Sequence, residues 1–167
     1  IRAITDQYEP GSTFKTVAIA AGLQEGVITP STRFTVPYEI KDYDRTIRDA
    51  HTHGTEEMTV ADILARSSNV GTITIVKQRL SGPDAERDRG QDYAPWIGRF
   101  GFGATTGIDL PGEIRGQVTP YAKWSGTSVD TIPFGQGIAT TPLQMTSLYA
   151  TIANGGVWVR PHLAARL

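Results

Sequence analysis

Tyr8-Glu9-Pro10-Gly11-Ser12-Thr13-Phe14-Lys15 sets a serine and a lysine three positions apart, behind a Pro-Gly turn and at the head of an apolar run. The pattern predicts one helix from Ser12 to Leu23. Its apolar positions Phe14, Val17, Ala18 and Ala21 recur at helical intervals, and Gly22 and Gly26 supply stop signals. On such a helix Ser12 and Lys15 share a face, with Cβ atoms about 5–6 Å apart. A neutral lysine amine in that position can take the proton of a serine hydroxyl and so create a nucleophile. An ammonium cannot, so burial and neighbouring charge would have to depress the lysine pKa. Backbone N–H groups of the first turn also favour developing negative charge. Taken alone, the same residues read more readily as a helix N-cap (Ser12) and a solvated first-turn side chain (Lys15).

Working outward, the next polar interruption of an apolar pattern is Ser67-Ser68-Asn69. A loop serine can relay a proton toward a leaving amine. An asparagine can orient a lysine and hydrogen-bond a substrate amide. The alternative is a polar turn between two helices. Thr59 reads as the N-cap of a short helix through Arg66, with Glu56 and Glu57 as first-turn charges, and Val70–Leu80 resumes a helical or buried pattern. Tyr93–Phe100 reads as a helix. Thr141 caps another with Pro142 at its first position and an apolar face of Leu143, Met145, Leu148, Ile152 and Ala153. Asn154-Gly155-Gly156 ends it, and Val157-Trp158-Val159 looks like a strand start. Residues 1–11 read as an extended lead-in, 27–54 as short β pieces such as Arg33–Val36, 81–92 as an exposed loop, and 101–137 as glycine-rich turns.

With 167 residues, one domain or a large piece of one is expected. A net charge of −1 gives no electrostatic case for nucleic acid or anionic membrane. Without cysteine there is no disulfide or thiolate chemistry. No apolar run approaches the roughly 20 residues of a membrane span. The chain opens without an initiator Met and reads as an excised fragment, any anchor or export signal lying outside it. His51 and His53 lack carboxylate or thiolate partners at ligand spacing, so no metal is expected. His162, after Pro161, reads as a loop residue. Gly101-Phe102-Gly103 and Gly135-Gln136-Gly137 lack the strand–loop–helix context of a dinucleotide site, and Asp109 and Glu113 make no carboxylate pair. No cofactor is implied.

The ordered set of blocks resembles the transpeptidase domain of class B penicillin-binding proteins, whose Ser-x-x-Lys, Ser-x-Asn and Lys-Thr-Gly elements are a known motif set. The resemblance runs from Ala3 to about Leu163. It is carried by Tyr8–Lys15, His53-Gly54, Met58-Thr59-Val60 and Ser67-Ser68-Asn69-Val70-Gly71. Further blocks are Phe100–Gly103, Thr106–Glu113, Phe134–Ile138 with Thr141–Met145, Ala153–Gly156 and Pro161-His162. It implies an α-rich α/β fold, the helical subdomain of the penicillin-binding protein/serine β-lactamase transpeptidase fold, with most of the central antiparallel sheet outside the chain. It also implies the roles. Ser12 would attack a donor D-alanyl-D-alanine carbonyl, with its own N–H as one oxyanion donor. Lys15 would be the general base, Ser67 would pass the proton to the leaving nitrogen, and Asn69 would hold the substrate amide and Lys15. Ser12, Ser67 and Asn69 would thus also bind substrate.

Implied partners are peptidoglycan stem peptides, β-lactam antibiotics and, for a membrane-anchored parent, cell-wall synthesis proteins at the extracytoplasmic face of a bacterial plasma membrane. Residues 1–167 would be a partial transpeptidase domain, lacking its N-terminal strands and its Lys-Thr-Gly strand region; that triplet occurs nowhere in the sequence. Loss of one oxyanion donor costs about 10²-fold or more, so the chain alone is expected to be at best weakly active. The rivals are a serine β-lactamase or β-lactam sensor, and a non-catalytic helical module that binds cell-wall machinery.

Overall fold

The computed structural model describes residues 1–84 and 89–163. Its helices are α1 (Arg2–Thr5), α2 (Lys15–Gln24), α3 (Val60–Ala65), α4 (Asn69–Arg79), α5 (Ala94–Arg99), α6 (Ser128–Thr131) and α7 (Pro142–Ala153). Single 3-10 turns lie at Gly11–Phe14, Tyr121–Lys123 and Ile132–Phe134. Among the described residues the strands form two antiparallel pairs: β1 (Arg33–Val36) with β4 (Glu56–Thr59), and β2 (Glu39–Asp42) with β3 (Arg45–Arg48). The α-rich reading with sparse sheet holds.

Helix α2 is the axis of the molecule. Val17, Ala18 and Ala21 sit in one core with Val76, Leu80, Tyr93, Ile97, Met145 and Leu148. Ile19, on another side, joins a second core with Phe34, Val36, Met58, Ile63 and Val70. A helix buried on more than one face needs apolar or small residues nearly all round, and Lys15-Thr-Val-Ala-Ile-Ala-Ala-Gly-Leu meets that requirement with one exception, Lys15. Phe14, just before α2, meets Phe102 edge to face, with centroids 4.9 Å apart. This contact ties the Gly101–Gly103 block to the start of the helix.

The caps of α3 and α7 formed where the sequence put them. Thr59 and Asp62 make a reciprocal capping box for α3, and Thr141 and Gln144 do the same for α7, with Pro142 at the first position. Three expectations fail. Glu56 and Glu57 lie on β4, opposite Val36 and Thr35, so they are strand residues and not first-turn charges. Val157-Trp158-Val159 forms no strand among the described residues: it has no ladder partner and stays largely exposed. The lead-in is not wholly extended, because Arg2–Thr5 closes one helical turn. Within 81–92, residues 85–88 lie outside the described part. Arg89 is held by Asp42, and Gly90 is buried against Trp124 and Val129, so the end of this loop is docked.

Candidate active site

Ser12 and Lys15 are joined by a tighter helix than the sequence suggests. Gly11 takes φ +58°, and Gly11–Phe14 forms a 3-10 turn in which the Lys15 N–H donates to the Ser12 carbonyl. In 3-10 geometry side chains at i and i+3 eclipse, which sets Ser12 and Lys15 on the same side of the turn. Pro10, not Ser12, occupies the N-cap. The Ser12 residue is exposed, and its hydroxyl has no hydrogen-bond partner among the described residues. Lys15 is 1% exposed. A solvated first-turn lysine is therefore ruled out.

The Lys15 ammonium donates to the Ser67 carbonyl and, at 3.0 Å, to the Ser67 Oγ. Burial pushes its pKa from 10.5 down to about 8, against the pull of the Asp49 carboxylate in the other direction. A pKa near 8 leaves about a tenth of the molecules with a neutral amine at pH 7. Such an amine can accept a proton from a hydroxyl brought beside it.

Ser67 owes its place to how α3 ends. The Ser68 N–H reaches back to the Ile63 carbonyl (2.9 Å) and the Ser67 N–H to the Leu64 carbonyl (3.1 Å). This paired closure puts Ser67 in the left-handed position at φ +56°. Glycine is the usual occupant there; a serine costs about 1–2 kcal/mol. Strain of this kind persists where the surroundings over-determine it, and it clusters at functional sites. Ser67→Gly is expected to leave stability within about 1 kcal/mol, since relief of strain offsets one lost hydrogen bond. It should slow acylation by about 10²-fold or more. Urea unfolding and penicillin acylation kinetics on the same sample check both halves.

Ser68 caps α4, its Oγ accepting from the Gly71 N–H at 2.8 Å. The half-buried Asn69 donates from Nδ2 to the Arg48 carbonyl at 2.9 Å and makes no hydrogen bond to Lys15. Its Oδ1 is unbonded among the described residues and can accept from an amide N–H.

Two residues to which the sequence reading gave no role tie the Gly135–Gly137 block to the segment leading into Ser12. Gly135, at φ +80°, lies on the nucleophile turn: its carbonyl accepts from the Gly11 N–H at 3.0 Å, and a β-carbon there would stand 2.2 Å from the Gly11 oxygen. Glu9 Oε1 accepts from the Gly137 N–H at 2.8 Å. The Gly135-Gln136-Gly137 block is thus a close backbone contact behind Ser12. Gly135→Ala is expected to destabilise the chain by about 3 kcal/mol or more, from steric overlap and a disfavoured φ together, as read by urea unfolding. Only a glycine-rich composition signalled this, and it does not reveal the partner.

Glu113 accepts from the Thr106 N–H and Oγ1 and from the Gly107 N–H at 2.6–2.9 Å, closing the turn they bound. His53 packs edge-on to Tyr38 and bonds Asp49. His162 is exposed. No group of three or more metal-ligating side chains exists among the described residues, and none of their helices is long and apolar enough to cross a membrane.

Comparison with known proteins places this geometry. Residues 1–167 match the penicillin binding protein transpeptidase domain family. Penicillin-binding protein PbpB of Mycobacterium tuberculosis is 39% identical over 161 residues, covering 96% of this chain and 22% of PbpB. Peptidoglycan D,D-transpeptidase FtsI of Escherichia coli K12 is 35% identical over 158 residues, covering 94% of this chain and 25% of FtsI. A crystal structure of penicillin binding protein 3 from Mycobacterium tuberculosis complexed with aztreonam superposes with a TM-score of 0.87 at 38% identity, over 96% of this chain and 34% of that one. The chain thus spans about a quarter of the length of these curated relatives. With an exposed serine one 3-10 turn from a buried lysine that a second serine receives, and with the whole length matched, the chain belongs to the penicillin-binding protein transpeptidase domain family.

Proposed function

We propose that these residues carry the acylation machinery of a peptidoglycan D,D-transpeptidase. The observation that carries the reading is Lys15: buried, pKa near 8, hydrogen-bonded to Ser67, and one 3-10 turn from an exposed, unbonded Ser12. Neutral Lys15 takes the Ser12 proton as Ser12 Oγ attacks the carbonyl between the two D-alanines of a stem peptide. The C–N bond breaks, and the terminal D-alanine leaves with a proton delivered through Ser67. The ester on Ser12 is then attacked by an amine of a second stem peptide. Asn69 Oδ1 receives the substrate amide, and the Ser12 N–H is one oxyanion donor. A β-lactam enters the same path: its ring amide opens on Ser12, and the leaving nitrogen stays tethered.

The names of the relatives support the reaction class, and the aztreonam complex of one neighbour supports β-lactams as ligands. Residues 1–167 act as part of a transpeptidase domain, together with a Lys-Thr-Gly strand from outside them. Their setting is the extracytoplasmic face of a bacterial membrane, alongside other cell-wall synthesis proteins.

The test is intact-protein mass after incubation with benzylpenicillin, followed by peptide mapping, on this chain and on a longer chain extended at both ends. One adduct on the peptide containing Ser12, persisting after free drug is removed, is the expected result in the longer chain. An adduct released within seconds as hydrolysed drug favours the β-lactamase reading. No adduct on either chain overturns the proposal in favour of a non-catalytic module.

A further inference from the structure

The Asp49 carboxylate is buried and bonds to the residues that follow Ser67. One oxygen accepts from the Val70 N–H at 2.9 Å. The other accepts from the Ser68 Oγ at 2.6 Å and faces His53 Nε2 at 3.1 Å. The residue before it, Arg48, offers its carbonyl to Asn69. Residues 48–49, at the end of β3, therefore grip three consecutive residues of the 68–70 segment. That is a dense set of bonds for a turn whose preceding residue, Ser67, is held in a left-handed conformation.

We propose that Asp49 is the positioning residue of the site, fixing the Ser67 turn through Ser68 and Val70 so that the Ser67 hydroxyl and carbonyl both meet Lys15. This rests on the transpeptidase reading of Ser12, Lys15 and Ser67. Asp49 touches no reacting atom and acts through its neighbours. Its charge has a second effect, since the carboxylate favours the Lys15 ammonium and opposes the lowering by burial. Among the described residues, the charged groups that face this carboxylate are His53 from its own loop and Lys15 from α2. Glu56 of β4 in turn acts on His53. The start of α4 brings only a hydroxyl and an amide. Burial opposes protonation of His53, and the Gly54 carbonyl with Asp49 outweighs it, so the imidazole pKa is raised.

The experiment is Asp49→Asn, which preserves size, removes the charge and turns one of the two accepting oxygens into an NH2 donor, so that Ser68 and Val70 can no longer both be held. Two readouts separate positioning from general support of the fold. The first is the titration midpoint of Lys15, followed by NMR of lysine labelled at Cε; it needs no acylation. The second is the pH profile of benzylpenicillin acylation in the longer chain. The expected result is a Lys15 midpoint lowered by about one unit and an acylation plateau reduced about tenfold. A folded Asp49→Asn chain whose acylation plateau does not fall overturns the proposal. Should that variant not fold, Ser68→Ala decides: it keeps the Asp49 charge and removes the hydroxyl bridge. Its plateau should fall about tenfold with the Lys15 midpoint unchanged, and an unaltered plateau overturns the proposal. A shifted midpoint in a protein that no penicillin acylates supports the Asp49–Lys15 link and sinks the transpeptidase reading instead.

Discussion

Ser12→Ala is expected to eliminate the penicillin adduct, with an acylation rate lowered on the order of 10⁴-fold or more, while stability changes by less than about 0.5 kcal/mol. The two effects part company because of where the hydroxyl sits. Ser12 is exposed and its Oγ bonds to nothing among the described residues, so its removal breaks no contact and leaves no buried group unsatisfied. Its backbone carbonyl, which receives the Lys15 N–H, is untouched. A serine kept at the head of a buried helix with no structural bond to make is a serine available for chemistry. Intact-mass kinetics and a thermal melt on one preparation test both halves. A large loss of stability would mean that Ser12 supports the turn; a surviving adduct would move the nucleophile elsewhere.

Lys15→Met is the second large effect: acylation should fall about 10²–10⁴-fold, the usual range for loss of a general base. The pH profiles should differ as well. With Lys15 present, the rate should climb about tenfold per pH unit below 8 and level off above it, because only the neutral amine accepts the proton. Lys15→Met should show no such rise. Stability carries the same signature. The folded pKa lies below the unfolded one, so between about 8 and 10.5 the unfolded chain binds more protons, and stability rises with pH across that window. Below about pH 8 the native chain bears the full cost of a buried ammonium, on the order of 3 kcal/mol, and Lys15→Met removes it. Urea unfolding at pH 7 and pH 10 reads the effect as a smaller pH difference in the variant. An equal pH dependence in both chains would show that Lys15 titrates near its ordinary value.

Much of the site could be read from the sequence because its first parts are local. Ser12 and Lys15 are one turn apart in any right-handed helix, and Thr59, Thr141 and Pro142 mark helix starts through bonds that span three residues. The sequence was a poorer guide where geometry depends on a partner far along the chain. Glu56 and Glu57 precede a capping threonine and so read as helix charges, yet Arg33–Val36 supplies a ladder that makes them a strand. Val157-Trp158-Val159 has strand composition and no partner among the described residues.

The sequence by itself determined the central helices, their caps, and the residue types able to perform acyl transfer, because periodicity and capping are short-range. Only the tertiary structure decided which of those groups are competent. Burial at the head of α2 lowered the pKa of Lys15, and desolvation has no sequence signature. Ser67 reached Lys15 because the closure of α3 forced it into a left-handed turn and Asp49, just after β3, gripped the residues that follow. Gly135 gained its meaning from a backbone more than a hundred residues away. Long-range proximity of this kind is set by how the hydrophobic cores pack, and packing is a property of the whole chain at once.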